Sequence, residues 1–263
     1  MRKNTVKQLL HEGKPAVGTW ISLGHVLATR FMARAGFDWL TVDMEHGAID
    51  WEQASTLFAV IADAGGVPLV RVPCSDHDHI KRALDAGAYG IVVPMVMSRA
   101  EAEKAVRAAK YPPEGNRSVG GGAFTLNFAT TSTEYYAKAN DELLVVLQCE
   151  HIDAVDSFEE IFSVPGIDAV FVGPNDLARS QYTAEGKPPS ANQQEVAIQR
   201  ILQAGKRIRV PVGIHTFTPE DAARRVKEGW QFVAINSELR FMMDGAALAL
   251  KPFQDAAKLM VSY

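Results

Sequence analysis

Apolar segments of strand length recur at a regular spacing along the chain and alternate with segments of helical periodicity. Most of them are continuous runs of Val, Ile and Leu, which is typical of parallel strands buried on both faces. The pattern predicts eight strands: Ala16–Ile21, Trp39–Asp43, Val67–Val72, Tyr89–Val93, Leu143–Cys149, Asp168–Val172, Val210–Ile214 and Gln231–Ile235.

Segments with helical spacing lie between the strands, for example Trp51–Ala64, Asp76–Ala86, Arg99–Ala109, Ala191–Lys206 and Pro219–Glu228. Repeated β-then-α units predict an α/β protein, a single (β/α)8 TIM-barrel domain over residues 1–263. An open doubly wound sheet is the alternative. It is disfavoured because no strand is followed by a Gly-x-Gly-x-x-Gly or Walker-type loop, and we expect no nicotinamide cofactor.

Two segments depart from this pattern. Residues Lys110 to Asp141 are too many for one helix, and we expect a mobile loop over the active face. The last helical segment, about 239–260, is more apolar than a surface helix needs to be. It is predicted to pack against another subunit.

Composition excludes several classes of function. The chain has 263 residues, 47% hydrophobic, with a net charge of −4 and no apolar run of transmembrane length. The first ten residues lack the features of a signal peptide, and the two cysteines are expected to be free thiols, so we predict a cytoplasmic protein. A pI near 6 without a basic block argues against nucleic acid as a partner.

Polar or large aromatic groups follow five of the eight predicted strands. The catalytic groups of barrel enzymes lie at the carboxyl ends of the strands, so this asymmetry is the main sign of an enzyme. The groups are Trp20, the run Asp43-Met44-Glu45-His46, Arg71, Gln148 with Glu150, and Asp176.

Glu150 and Asp176 are 26 residues apart, which is about one strand–helix–strand unit. On adjacent parallel strands both carboxylates would reach one cleft, where they repel each other unless a cation lies between them. A hard divalent ion such as Mg²⁺ or Mn²⁺ suits oxygen ligands of this kind. The alternative is that Glu150 is an ordinary loop acid and Asp176 caps the next helix.

Three further side chains extend this candidate site. Gln148 is two residues before Glu150 and therefore faces the same side of the strand. Arg71 interrupts an apolar run, and a buried Arg needs an anion, either a ligand or an internal partner such as Asp43 or Glu45. His46 follows two acids and is either a base or an ordinary strand-end residue.

Two further observations bear on the chemistry. The run His77-Asp78-His79 looks like a ligand cluster, but its spacing suits one helix face poorly and Asp76 looks like a cap, so we interpret it as a helix start. None of the predicted strands contains a Lys, which argues against a Schiff base and against pyridoxal phosphate and favours a metal-stabilised enolate.

The segments 38–46, 69–73, 111–120, 148–150 and 173–177 together resemble the HpcH/HpaI aldolase family, in order and over nearly the whole chain. The resemblance implies a hexamer, a trimer of dimers that exchange their last helix. It implies a divalent metal, Mg²⁺, Mn²⁺ or Co²⁺, and reversible aldol cleavage of 4-hydroxy-2-oxo acids. Pyruvate or hydroxypyruvate would be the enolate donor and an aldehyde the acceptor, and a role in the catabolism of aromatic compounds is expected.

The resemblance also implies roles for individual residues. It makes Glu150 and Asp176 the metal ligands, His46 the catalytic base, and Asp85 the acid that increases the basicity of His46 across a subunit interface. Arg71 would steady the enolate oxygen. The implied substrate contacts are Gln148, Trp20, Asp176, Gly173 and Asn175, the last two in a turn whose backbone holds the substrate carboxylate.

One residue departs from the family's sequence pattern, and two alternative functions remain open. The family often has a small residue where this chain has Asn175, which puts the accepted 2-oxo acid in doubt. A citramalyl-CoA-type lyase on a related barrel is the first alternative, although no clear basic site for adenine phosphates is evident. A metal-dependent 2-oxo acid binding protein without catalysis is the second, and the His46 and Asp85 pair argues against it because binding needs neither.

Overall fold

Eight parallel strands close into a barrel in chain order, with β8 hydrogen-bonded to β1. This architecture is seen in a computed structural model that describes residues 1–253. It confirms the predicted (β/α)8 barrel, and the open doubly wound alternative is wrong because the sheet has no free edge. The strands are β1 (Ala16–Ile21), β2 (Trp39–Asp43), β3 (Val67–Arg71), β4 (Gly90–Val93), β5 (Leu144–Gln148), β6 (Ala169–Val172), β7 (Val212–Thr216) and β8 (Phe232–Ser237).

Helices cover the outside of the barrel. Several begin at a Ser, Thr or Asp whose side chain accepts a hydrogen bond from the first turn, and Ser98 and Ser190 form capping boxes. The helices are α1 (Thr5–His11), α2 (Val26–Met32), α3 (Trp51–Asp63), α4 (His77–Asp85), α5 (Arg99–Ala109), α6 (Ala123–Asn127), α7 (Ser132–Glu142), α8 (Ile152–Asp156), α9 (Phe158–Phe162), α10 (Pro174–Arg179), α11 (Ala191–Ile208), α12 (Pro219–Glu228) and α13 (Glu238–Leu250).

The largest error in the predicted strands concerns β7, which begins and ends two residues later than expected. The apolar side chain of Val210 predicts a strand position. Its N–H instead bonds the carbonyl of Gly205, beside the left-handed residue Arg209 that ends α11. Val210 is therefore part of the helix terminus, and the strand extends to Thr216.

The barrel interior is filled by large side chains. The rings of Trp39 and Phe232 stack with centroids 4.3 Å apart. Any Cβ at Gly18 would overlap the Trp39 ring, so β1 needs glycine where it faces this stack.

The long segment after α5 does not cover the mouth of its own barrel, which is the end where the strands finish. The prediction that this segment forms a loop over the active face is therefore wrong. The Phe128 ring stacks on Tyr89, immediately before β4, and Arg117 binds Asp85 at the end of α4. Both contacts are at the amino-terminal end of the barrel. The physical reason is that α5 has already run back from the mouth before the segment begins.

The last described helix is α13, followed by one 3-10 turn at Lys251–Phe253. Exposed apolar side chains are frequent on this segment, including Met242, Leu248 and Phe253, with Phe253 83% exposed. Residues 254–263, the end of the predicted final helix, lie outside the described part of the chain. Within 1–253 no helix has both the length and the apolarity needed to cross a membrane.

Candidate active site

Asp43 and Arg71 end neighbouring strands and are register partners across the β2–β3 pair. This alignment allows a bidentate ion pair, in which Arg71 Nε and Nη2 donate to the two Asp43 oxygens at 2.9 and 2.6 Å. Arg71 Nη1 lies 3.2 Å from Glu45 Oε2. The alternative for Arg71, an internal ion pair with Asp43 or Glu45, is therefore confirmed, and Arg71 pairs with both acids at once.

The turn after β2 is organised by the same Asp43 carboxylate. Its Oδ1 accepts the backbone N–H groups of Glu45 and His46 at 3.1 and 3.3 Å. His46 projects outward from this turn, with its side chain 66% exposed and its Nε2 3.9 Å from Glu45 Oε2. The turn thus presents a half-buried acid and an exposed imidazole beside the Arg71 guanidinium.

Glu150 follows β5 and is almost fully buried, at 3% exposure. Gln148 Nε2 donates to Glu150 Oε2 at 2.5 Å, and the backbone N–H of Met95 donates to Oε1 at 2.8 Å. A Cβ at Gly173 would overlap Glu150 Oε2, so the β6 turn can approach this carboxylate only without a side chain. Gln148 and Glu150 lie on one side of the strand, as the two-residue spacing requires.

Burial raises the pKa of Glu150 from its ordinary value of 4.5 to about 7. The Met95 N–H opposes this rise, whereas the negative charges of Asp176 and Glu45 increase it. Burial likewise raises the pKa of Glu45, with the Arg71 charge opposing. Each of these carboxylates is therefore destabilised in its charged form by its surroundings.

Asp176 lies in the first turn of α10, but it does not cap that helix. The N-cap is Gly173, and the Asp176 side chain makes neither a hydrogen bond nor an ion pair with any residue of the 1–253 range. The interpretation of Asp176 as an N-cap is wrong, because the helix begins three residues earlier at the Gly173-Pro174 step. Asn175, between them, is exposed.

Trp20 forms an aromatic wall of the same mouth. Its ring centroid is 4.7 Å from Arg71 Cζ and 5.7 Å from the Phe171 ring centroid. Two buried polar atoms of the mouth, Trp20 Nε1 and Gln148 Oε1, have no partner among the described protein atoms. Buried polar atoms without partners are rare in folded proteins, and these two are available to bind a ligand in the mouth.

Asp85 lies apart from the other predicted site residues within one protomer. It ends α4 at the opposite end of the barrel from the mouth, where its Oδ1 accepts a 2.7 Å bond from Arg117. The predicted action of Asp85 on His46 across a subunit interface remains a prediction.

Sequence reasoning missed two contributors to the mouth. Met95 has φ of 51°, an uncommon conformation for a residue other than glycine, and its N–H holds Glu150; no signal in the sequence predicts this. His215 lies on β7 with its ring centroid 6.3 Å from that of Trp20. The predicted strand stops at Ile214, one residue before His215, whereas the observed strand extends to Thr216 and includes it.

Oxygen donors dominate the mouth, and the residues present fit a hard divalent cation. Glu150 and Asp176 supply carboxylates, Gln148 Oε1 is an unpartnered buried oxygen, and Gly173 leaves the approach to Glu150 open. Two surface clefts of about 670 and 700 Å³ lie elsewhere, beside α9 and beside α1. Neither is lined by residues of the mouth.

Known proteins resemble this chain over most of its length. Residues 16–244 match the family model described as HpcH/HpaI aldolase/citrate lyase. The chain is 35% identical over 239 residues to a hydroxypyruvate/pyruvate aldolase of Agrobacterium fabrum, covering 90% of this chain and 88% of that protein. It is 32% identical over 260 residues to a 4-hydroxy-2-oxo-heptane-1,7-dioate aldolase of Shigella flexneri, covering 99% and 97%.

The fold has close counterparts among solved structures. A HpcH/HpaI aldolase/citrate lyase family protein from Burkholderia cenocepacia superposes with a TM-score of 0.87 at 33% identity, covering 96% of this chain and 100% of that one. The match extends over the whole barrel, so the mouth described above lies within the matched part.

Proposed function

Because the chain belongs to the HpcH/HpaI aldolase/citrate lyase family and is a carbon–carbon lyase, we propose that it is a class II aldolase that uses a divalent metal. Its reaction would be the reversible aldol cleavage of 4-hydroxy-2-oxo acids, with pyruvate or hydroxypyruvate as donor and an aldehyde as acceptor. The predicted family membership is confirmed, and the interpretation as a binding protein without catalysis is wrong.

The observation that carries this proposal is the buried carboxylate of Glu150, whose pKa is raised to about 7 by burial together with the negative charges of Asp176 and Glu45. A cation between Glu150 and Asp176 would reverse this penalty and favour both charged forms. Glu150 and Asp176 would hold the metal, which as a Lewis acid would stabilise negative charge on a 2-oxo group. Mg²⁺, Mn²⁺ and Co²⁺ all suit the oxygen donors.

The chain's own residues would do the remaining work. Arg71 is fixed by Asp43 and Glu45 and can donate a charge-assisted hydrogen bond to the oxygen of an enolate. His46 is exposed at the edge of the mouth and would take the proton from the 4-hydroxyl group during cleavage. Trp20 would cover one side of the bound acid, and Gln148 Oε1 and the Gly173–Asn175 turn would contact its polar groups.

Three features support a homo-oligomer in the cytoplasm. The exposed apolar side chains of α13 would be covered in a hexamer built as a trimer of dimers. Asp85 could reach a His46 only in another protomer. Cys74 and Cys149 are both free in the described chain, which suits a reducing compartment.

Removal of metal by a chelator tests the proposal. We expect the metal-free protein to lose aldol cleavage and the exchange of pyruvate C3 protons with D₂O, followed by NMR, and we expect Mg²⁺ or Mn²⁺ to restore both. Full activity of the metal-free protein would overturn it. A panel of aldehydes with pyruvate and with hydroxypyruvate would then identify the donor and the acceptor.

A further inference from the structure

A second group of metal-binding side chains lies after β3, outside the set of mouth residues. The predicted helix start at His77-Asp78-His79 is confirmed, because α4 begins at His77 with Asp76 as its N-cap residue. The Asp76 side chain, however, makes no capping hydrogen bond. An Asp at this position normally accepts a hydrogen bond from the first turn, so another interaction holds it here.

Asp76 instead contacts the Cys74 thiol and the Lys104 ammonium group, and the thiol also contacts the His79 imidazole. Asp76 Oδ2 lies 3.5 Å from Cys74 Sγ, and Cys74 Sγ lies 3.0 Å from His79 Nδ1. The potential ligand atoms of the three residues all lie within 4.8 Å of one another. The three side chains therefore converge on one point from both sides of the helix start.

Two of the three separations between these atoms are close to those of a tetrahedral metal site, and the third, between His79 and Asp76, lies within 4.8 Å. Bond lengths of about 2.3 Å to sulfur and about 2.0–2.1 Å to nitrogen place two tetrahedral ligand atoms about 3.5 Å apart. The 3.5 Å separation of sulfur and oxygen already has this value, and the 3.0 Å separation of sulfur and nitrogen needs to widen only slightly.

Neighbouring side chains fix the orientation of the cluster. The Trp51 ring stacks on His79 with centroids 6.0 Å apart and planes 16° from parallel. Lys104 Nζ binds Asp76 at Oδ1, 3.2 Å away, and leaves Oδ2 directed at the sulfur. Such outer contacts are a recurring feature of metal sites because they hold the ligands in place.

We propose that Cys74, Asp76 and His79 form a second divalent-metal site, of the zinc type, with a fourth position open to water. A thiolate, an imidazole and a carboxylate together favour a borderline-soft ion such as Zn²⁺ over Mg²⁺, in contrast to the oxygen ligands Glu150 and Asp176 of the mouth. Binding would release the Cys74 thiol proton to solvent, since the thiolate is the ligand.

Co²⁺ absorption in excess Mg²⁺ tests this inference separately from the proposed aldolase site. Mg²⁺ competes for the oxygen site but not for a thiolate. The wild type should show a thiolate-to-cobalt charge-transfer band that Zn²⁺ abolishes. Cys74→Ser should lack the band, and His79→Gln should bind Co²⁺ at least about tenfold more weakly.

His77→Gln is the matched control, because His77 is in the same helix turn but outside the cluster. It should keep the band, and circular dichroism should show that each variant is folded. Absence of the band in the wild type, or a band unchanged in Cys74→Ser, would overturn the proposal. Rapid alkylation of Cys74 without any charge-transfer band would likewise overturn it, and would indicate a reactive thiol instead.

Discussion

The two ends of the barrel treat their buried charges differently. At the amino-terminal end, Lys7 binds Asp168 at 3.0 Å and the Leu143 carbonyl at 2.9 Å, and Arg117 binds Asp85. At the mouth, several carboxylates share the single guanidinium of Arg71, and polar atoms of Trp20 and Gln148 have no partner in the described chain. Ion pairing stabilises the amino-terminal end, although Arg117 Nε there has no hydrogen-bond partner in the described chain. At the mouth the charges are shared and the unpartnered polar atoms are available for a ligand.

The largest effect is expected at the paired end. Lys7→Met should lower the free energy of unfolding by about 3–5 kcal/mol, because it leaves Asp168 as a buried charge without its partner. Denaturant titration measures this. The exposed Lys14 pairs with Glu12, and Lys14→Met should change stability by less than about 0.5 kcal/mol.

If the charges at the amino-terminal end serve only the fold, the Lys7→Met protein that is still folded should keep the wild-type turnover rate. A large fall in the rate per folded molecule, with little loss of stability, would show that charges at this end serve catalysis and not the fold.

At the mouth, by contrast, ionisation of a buried carboxyl group should lower the stability of the protein as the pH rises. The folded pKa of Glu150 is about 7, against an ordinary value of 4.5, so the folded state holds this proton more tightly than the unfolded state. The contribution of Glu150 to stability is therefore complete below pH 4.5 and is lost as the pH rises to about 7. The metal-free protein should lose up to about 3 kcal/mol over this window.

Denaturant unfolding of the metal-free protein across that pH window measures the effect. Glu150→Gln removes the titrating group and should flatten this part of the profile, and Mg²⁺ should restore stability to the wild type by binding the folded state. A pH profile that is the same in both proteins would mean that the pKa of Glu150 is not raised in the folded protein.

Arg71→Ala should lower the rate of aldol cleavage by at least about 10²-fold, as the loss of one donor to an oxyanion does in other enzymes. Steady-state kinetics and pyruvate proton exchange in D₂O measure it. The exposed Arg200, paired with Asp156, is a matched control, and Arg200→Ala should keep the wild-type rate. Unchanged proton exchange in Arg71→Ala would show that Arg71 serves only its ion pair with Asp43.

Much of the fold could be predicted because parallel barrel strands are continuous apolar runs and helices carry caps. Glu150, Gln148 and Arg71 were found because polar residues at the ends of such runs are conspicuous. Met95 could not be found, since its contribution is a backbone N–H oriented by an unusual φ. The ion pair of Asp43 with Arg71 depends on strand register, which a single sequence does not specify.

Asp85 shows a different limit of sequence reasoning. Its position at the end of α4 follows from the repeating pattern, but its proposed partner, His46, would belong to another protomer. The pairing of Asp85 with Arg117 was not foreseen, because Arg117 lies in the long segment whose path was predicted incorrectly.

The smallest effect is expected at His215, on the choice between hydroxypyruvate and pyruvate. Burial and the nearby Arg71 charge together lower its pKa to about 4, so the imidazole is neutral at neutral pH. A neutral imidazole offers one donor and one acceptor, and no hydrogen bond to His215 occurs within residues 1–253. In the mouth it could bind the extra hydroxyl group that distinguishes hydroxypyruvate from pyruvate.

His215→Leu should therefore reduce kcat/KM for hydroxypyruvate about tenfold relative to pyruvate, the value of one neutral hydrogen bond. Competition between the two donors with one aldehyde measures this ratio directly. The reduction should not change between pH 6 and about 8, because His215 stays neutral well above its pKa of about 4. Asn175→Ala is the informative comparison, since Asn175 is the other unusual side chain beside the pocket. A ratio that moves with Asn175→Ala but not with His215→Leu would assign donor selection to the β6 turn instead of β7.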